Sequence, residues 1–535
     1  MVLGSVHDGD FSLRFSLDEQ GEPRIVTTGA VTRSGDDYEL RYGPNRHILA
    51  SSAVGRPGDS DVFTFHRNMI PLYARQSSDA VVISNAPSAL IDDGETLRVD
   101  RLTLMRATRK RCTTVFDNLF VDISLLLPGS RYRVEHGPQG PSIRYAGVDL
   151  AARPSMTRED FLEYFIERTR IATSAWGEIA LGITGGYDSR FEAAVLGSLG
   201  KRVLPFHYTS TPREIRAVRA IAAELGAPLS LHPYDDVSER GWDLLYSSGY
   251  NARWDGFFAI GLPPSIGLAD RALTRHPGAG LYFLNNEQLK GRCFQDFDLA
   301  ARWRPNVLVT PLPGYETGFE ARIEEENAHR TAVVHRVVES ATGLGTGDQR
   351  SDGPPTSHRL AVEATYTAFY QSAARSPSRA AIFYEHGSPV ISGEREVRER
   401  FCAVPEDETV DSRFLEWAVT RLAPRLGSIP YISSSSHRIE RQFGAVARSR
   451  RARRLLRRWA APGIMDALDW LDHPDVREAA GAHRPVHTAV EAAAGKGRMA
   501  VAAIVRLLAA LERDRAVRLE FCDPDPSDRR IYAVR

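Results

Sequence analysis

The chain has 535 residues, 42% hydrophobic and 25% charged, which is the composition of a folded protein of two or three domains and not of a disordered one. Lysine plus arginine equals aspartate plus glutamate at 68 each, so no overall field draws a polyanionic partner. Cys112, Cys293, Cys402 and Cys522 lack CxxC or CxxH spacing, and no basic leader or 18-residue apolar run is present, so neither a structural zinc site, a disulfide framework, secretion nor a membrane span is expected; the expected location is cytoplasmic.

In chain order, Phe11–Leu17, Ala80–Ser84 and Ser130–Val134 alternate polar and apolar residues as half-buried strands do, and Leu127-Pro128-Gly129 is a turn signal before the last of them. Gly147–Pro154 has the composition of a linker. A helix is expected from Arg158 to Ala175, with Thr157 placed to cap it. Glu178–Ile183 is an apolar run of strand length, and Phe191–Leu199 a helix ended by Gly200. Arg202–Tyr208 follows as a strand, Pro212–Leu225 as a helix stopped by Gly226, and Pro228–His232 as a third strand. This βαβαβ order implies a parallel sheet with its ligand at the carboxyl ends of the strands. Gly343–Pro355 is polar and glycine-rich, the composition of a surface loop or lid. Arg448–Trp459 holds seven arginines in twelve residues. It is read as an amphipathic helix packed through Leu455, Leu456 and Trp459, with a solvated arginine face; no nucleic-acid partner is expected. Met499–Leu511 is read as a core or partner-facing helix.

Between the first strand and its helix stands Thr184-Gly185-Gly186-Tyr187-Asp188-Ser189. Adjacent glycines let backbone N–H groups approach an anion, and the following helix turns its positive end to the same place. Asp188 can hold magnesium on bound phosphates, and Thr184 and Ser189 can each donate a hydroxyl. Tyr187 and Arg190 flank the turn, with Arg190 also suited to pairing with an acidic neighbour.

This turn resembles the pyrophosphatase loop of asparagine synthetases and their relatives, Ser-Gly-Gly-x-Asp-Ser, with Thr184 in place of the first serine. Leu281–Gly291 is similar to a second phosphate-side motif of that family: Glu287 matches its glutamate, while Asn285 and Asn286 replace the glycine-rich portion and its aspartate. Tyr384–Pro389 resembles a Leu-Glu-x-Arg-x-Pro stretch, with Glu385 and Pro389 matching and Gly387 lacking the arginine. The family's late lysine has no counterpart: the lysines here are Lys110, Lys201, Lys290 and Lys496, none between Arg421 and Arg448. In glutamine-dependent relatives a cysteine follows Met1; here Val2 does, so glutaminase chemistry is not expected.

The resemblance implies an α/β fold, a PP-loop parallel sheet of the adenine-nucleotide α-hydrolase type with helices on both faces, preceded by a degenerate Ntn-hydrolase-like β-rich sandwich. It divides the chain into a glutaminase-like domain (1–150), an ATP-binding synthetase domain (151–445) and an Arg/Ala-rich helical extension (446–535). The implied cofactors are ATP and Mg2+. Thr184, Gly185, Gly186, Tyr187, Asp188, Ser189 and Glu287 would hold nucleotide, Asp188 and Glu287 the metal, and Glu385 would act beside the amine. The implied activity is AMP-forming amide synthesis of the β-lactam synthetase and lasso-peptide cyclase type. It would join a small-molecule or peptide carboxylate to an amine in specialised metabolism, with a homo-oligomer or a partner biosynthetic protein as further associations. Two other readings stand beside it. One is a catalytically silent scaffold or regulatory subunit, which the departures at Asn285, Asn286 and Gly387 favour. The other is a tRNA-modifying PP-loop ATP pyrophosphatase, which would share the turn and use the Arg448–Arg458 run.

Overall fold

The computed structural model describes residues 12–100 with short breaks, 119–208, most of 212–244, 263–282, 320–342, most of 388–432, and 516–522, with isolated positions between. The amino-terminal part is made of strands β1 (Ser12–Leu17), β2 (Pro23–Thr28), β3 (Val31–Ser34), β4 (Asp37–Tyr42), β5 (Asn45–Ser52), β6 (Ser60–Phe63), β7 (Tyr73–Gln76), β8 (Ala80–Ser84), β9 (Thr96–Asp100), β10 (Ile123–Leu125), β11 (Ser130–Gly137) and β12 (Gly140–Val148). Two antiparallel sheets result, ordered β10-β7-β8-β1-β2 and β12-β11-β6-β5-β4-β3. Period-two patterning explains how they stack. Leu13 and Phe15 of β1 are buried while Arg14 between them is exposed, and they pair with Ile83 and Val81 of β8. From the other sheet Tyr132, Val134, Ile143 and Tyr145 turn into the same core, so the inner faces of the sheets close on one another. The strands expected at Phe11–Leu17, Ala80–Ser84 and Ser130–Val134 are β1, β8 and the first part of β11. Gly129 turns the chain into β11 at φ +64, a left-handed conformation that glycine adopts without a Cβ penalty.

The second part alternates helix and strand: α1 (Arg158–Ala172), β13 (Glu178–Gly182), α2 (Tyr187–Ser198), β14 (Arg202–Tyr208), α3 (Pro212–Glu224), β15 (Ser230–His232), α4 (Pro263–Arg275) and β16 (Gly280–Tyr282). These strands form one parallel sheet, ordered β15-β14-β13-β16. The chain therefore steps from β13 outward through β14 to β15, then places β16 on the other side of β13. Ile179, Ala180 and Leu181 are consecutive in β13 and all buried, so both faces of this sheet are covered, as in other parallel sheets. The molecule is thus a mixed α/β protein with antiparallel and parallel sheets.

Later elements complete the helical cover: α5 (Glu320–Thr342), α6 (Arg395–Ala403), α7 (Glu406–Thr409), α8 (Arg413–Leu422) and α9 (Pro424–Ser428). An aromatic cluster joins them to the sheet: Phe161 of α1 lies 5.1 Å from Phe414 of α8 and 5.2 Å from Phe401 of α6, and Phe165 lies 5.0 Å from Phe191 of α2. Ring pairs at these separations add to their burial.

Of the expected linker, Gly147 and Val148 end β12 and the remainder is fastened to α6. The wholly buried carboxylate of Glu399 accepts from the Ala151 amide at 2.8 Å, from Arg153 Nε at 2.8 Å and from Arg395 Nε at 2.8 Å, and Arg395 also bridges to Asp149 at 2.6 Å. Tyr145 of β12 and Ser340 of α5 form a second tie at 3.1 Å. Within 446–535, expected to be helical, residues 516–522 depart from that reading. Strand β17 (Arg518–Cys522) pairs in parallel with β9, so tertiary pairing decides the conformation of this piece. Among the described residues, no helix is long and apolar enough to cross a membrane.

Candidate functional site

The turn singled out in the sequence sits at the carboxyl end of β13, the strand flanked by β14 on one side and β16 on the other. Strand order reverses between β13 and β16, and in open α/β sheets ligands bind in the crevice at such a point. Ile183 carries the ladder one step past β13, its N–H donating to Phe206 O at 3.0 Å. The turn itself is shorter than its polar residues suggest. Helix α2 begins at Tyr187, so Asp188 and Ser189 occupy its first turn and only Ile183, Thr184, Gly185 and Gly186 lie between strand and helix. The polar pair Asp188-Ser189 suits a helix start as well as a loop, and the apolar run from Phe191 marks only the helix's buried middle.

The turn is braced from within. The Ser189 hydroxyl accepts from the Thr184 N–H at 2.9 Å and donates to Thr184 O at 3.2 Å, which uses a buried side chain to close the loop. Thr184 is exposed, and its Oγ1 accepts from the Gly186 N–H at 3.3 Å. Gly185 is packed from outside: a Cβ there would lie 2.9 Å from Ile432 Cβ, so the position has no room for a side chain. Gly186 is the N-cap residue of α2 and gives no side-chain acceptor to the helix's first N–H groups. Asp188, half-buried in that first turn, puts a carboxylate beside the positive end of the helix.

Arg190 does not pair with an acidic neighbour among the described residues. It is wholly buried and its two Nη groups donate to carbonyls: Nη2 to Gly185 O at 3.0 Å and to Pro430 O at 2.8 Å, and Nη1 to Ile429 O and to Leu426 O, the latter at 3.4 Å. Its burial lowers the guanidinium pKa from the usual value, with Tyr187 and Tyr431 opposing that shift. Ile432 N donates to the same Gly185 carbonyl at 3.0 Å. The segment after α9 is thereby stitched to the turn.

Tyr187 stacks on Tyr431, with ring centroids 4.9 Å apart and planes within 10°, and the Arg190 guanidinium carbon lies 5.5 Å from the Tyr187 ring. Burial and the adjacent Glu416 carboxylate raise the Tyr187 hydroxyl's pKa. Glu416 also lines an open groove of about 550 Å³ along α8, together with Arg413, Trp417, Thr420 and Arg421. Arg158 and Arg421 flank the Trp417 ring at 4.5 and 5.6 Å. At the end of β14, the His207 ring stacks on Tyr208 at 5.1 Å.

Thr184, Gly185, Gly186, Tyr187, Asp188 and Ser189 are thus contiguous around one strand-to-helix junction. Glu287 and Glu385 lie outside the described residues, as do Asn285, Asn286, Gly387 and the Arg448–Trp459 run. Strand β16, five residues before Glu287 in the chain, pairs directly with β13 through Leu181 and Tyr282. Sequence reasoning missed Glu416, Tyr431 and Ile432, and gave Arg190 a different neighbour. These contacts bridge more than 200 residues, and the local sequence carries no trace of them.

No protein-family model and no curated protein matches the chain. Among solved structures, the NAD+ synthetase from Burkholderia pseudomallei is similar to part of it, at 16% identity over 47% of this chain and 90% of that one, with a TM-score of 0.20. A likeness of that strength carries no weight for fold or activity.

Proposed function

We propose that the protein is an ATP-dependent amide-bond-forming synthetase of the asparagine synthetase-like kind, with the β13–α2 turn as its polyphosphate site. The observation that carries this reading is the glycine pair just after a central parallel strand, leading directly into a helix whose cap residue, Gly186, has no side chain to offer the first N–H groups. Such groups and the helix dipole suit an anion. The tight packing of Gly185 against Ile432 and the half-buried Asp188 carboxylate in the first turn fit the same ligand. Magnesium, when bound, neutralises phosphate charge, and it needs only one or two protein carboxylates because phosphates and water fill the remaining positions.

In the reaction proposed, a substrate carboxylate oxygen bonds to the α-phosphorus of ATP while the bond to the pyrophosphate oxygen breaks. An amine then bonds to the acyl carbon and AMP leaves. The turn's N–H groups act where charge grows on the departing pyrophosphate, Asp188 would hold the magnesium that neutralises it, and one well-placed N–H donor of this kind is worth on the order of 10²–10³ in rate. Glu287 is assigned to the metal and Glu385 to the amine on the motif resemblance. The amine is free ammonia, a second substrate's amino group or one in the same substrate; a homo-oligomer or a biosynthetic partner protein belongs to the same proposal. Cys402 does not suit a thiolate-dependent RNA-modifying chemistry, since burial pushes its thiol up to about 12.

The test is pyrophosphate release from Mg-ATP across a panel of carboxylates and amines. Release that depends on a carboxylate and is lost in Asp188→Ala supports the reading. If no carboxylate elicits release although the protein binds Mg-ATP, the silent-scaffold reading replaces it.

A further inference from the structure

Arg190 is a charged side chain with no exposed surface and, among the described residues, no ion-pair partner. Desolvating a guanidinium is costly, and a position that keeps one needs acceptors that repay it. Here the acceptors are backbone carbonyls from two places far apart in sequence: Gly185 within the turn, and Leu426, Ile429 and Pro430 in and after α9. The Gly185 carbonyl is held twice, by Arg190 Nη2 at 3.0 Å and by the Ile432 N–H at 3.0 Å. A trans peptide points its C=O and the next N–H in opposite directions. Fixing the Gly185 carbonyl inward therefore fixes the Gly186 N–H outward, on the side of the exposed Thr184. The Thr184 hydroxyl accepts that N–H at the long distance of 3.3 Å, a weak bond that a phosphate oxygen could replace.

We infer that Arg190 is a positioning residue for polyphosphate: by clamping the Gly185 carbonyl to the segment after α9, it presents the Gly186 N–H to the β- and γ-phosphates of ATP. The inference rests on the reading of the β13–α2 turn as the polyphosphate site. Arg190 touches no ligand in this scheme; it acts through one peptide plane. Its removal leaves that peptide free to rotate, so the loss falls on binding of polyphosphate and not on binding of the nucleoside.

The experiment is titration calorimetry of a non-hydrolysable ATP analogue with magnesium, and separately of AMP, on the full chain and on Arg190→Lys and Arg190→Gln, with thermal unfolding of each. The expected result is a preference for the ATP analogue over AMP in the parent. That preference falls on the order of tenfold or more in Arg190→Gln and less in Arg190→Lys, with AMP affinity little changed, in keeping with the loss of a charged hydrogen bond. A lowered melting temperature with the preference intact would overturn the positioning role and leave the polyphosphate reading standing. A parent that does not prefer the ATP analogue would overturn that reading and the inference with it. If both variants unfold, the Gly186 amide in the parent decides: its hydrogen exchange is expected to slow with the ATP analogue and not with AMP, and equal exchange in both would refute the inference.

Discussion

Helix α1 is capped by Thr157, whose Oγ1 accepts the Asp160 N–H at 3.1 Å and donates to the Asp160 carboxylate at 2.7 Å. Helix α2 is capped by Gly186, which has the same extended backbone and no side chain to offer. Both N-termini need acceptors for their first N–H groups. One has a side-chain acceptor on its cap residue, and the other, among the described residues, has none there. The contrast sets a helix start capped by its own side chain beside one that the proposed function assigns to polyphosphate.

Substitutions can exchange these characters. The largest effect is expected from Gly185→Ala, which drives a Cβ to 2.9 Å from Ile432 Cβ; overpacking of that kind costs roughly 1–3 kcal/mol and should lower the unfolding midpoint and abolish nucleotide binding together. Thr157→Ala removes the cap of α1 and should cost about 1 kcal/mol in denaturant unfolding while leaving nucleotide affinity as it was. Equal loss of affinity in that variant would show that the two helix starts are not separable. The smallest change in stability, and the sharpest test of the contrast, is Gly186→Ser. The backbone there, φ −88 and ψ 172, suits a serine cap, and a Cβ would meet nothing closer than Thr184 Oγ1 at 3.4 Å. Stability should rise by a few tenths of a kcal/mol, while the new hydroxyl competes with phosphate and weakens nucleotide binding by about tenfold. A serine variant that is more stable and binds nucleotide as well as the parent would break the comparison.

Much of the parallel sheet was legible because its signals are local. The strand Arg202–Tyr208 is β14 with the same ends, and the helix expected from Pro212 runs from Pro212 to Glu224, where Gly226 stops it at φ +62. The Thr157 cap was legible for the same reason. The start of α2 was not, since Asp188 and Ser189 fit a loop and a first helical turn equally. Arg190 was the least legible residue: one arginine after a polar turn gives no hint that carbonyls 236 to 240 positions later surround it. The strand Arg518–Cys522 was hidden likewise, because its partner β9 lies some 400 residues earlier in the chain.

The most direct measurement is calorimetric titration of a non-hydrolysable ATP analogue with magnesium into the parent and into Asp188→Ala. Asp188 is in the first turn of α2, where a carboxylate's interaction with the helix dipole is worth about 0.3–1 kcal/mol, and unfolding of the variant is followed alongside to show that it remains folded. Micromolar binding by the parent that is lost in the folded variant is the expected result. Undiminished binding in Asp188→Ala, or no binding by either protein, would contradict the assignment of the β13–α2 turn as a polyphosphate site.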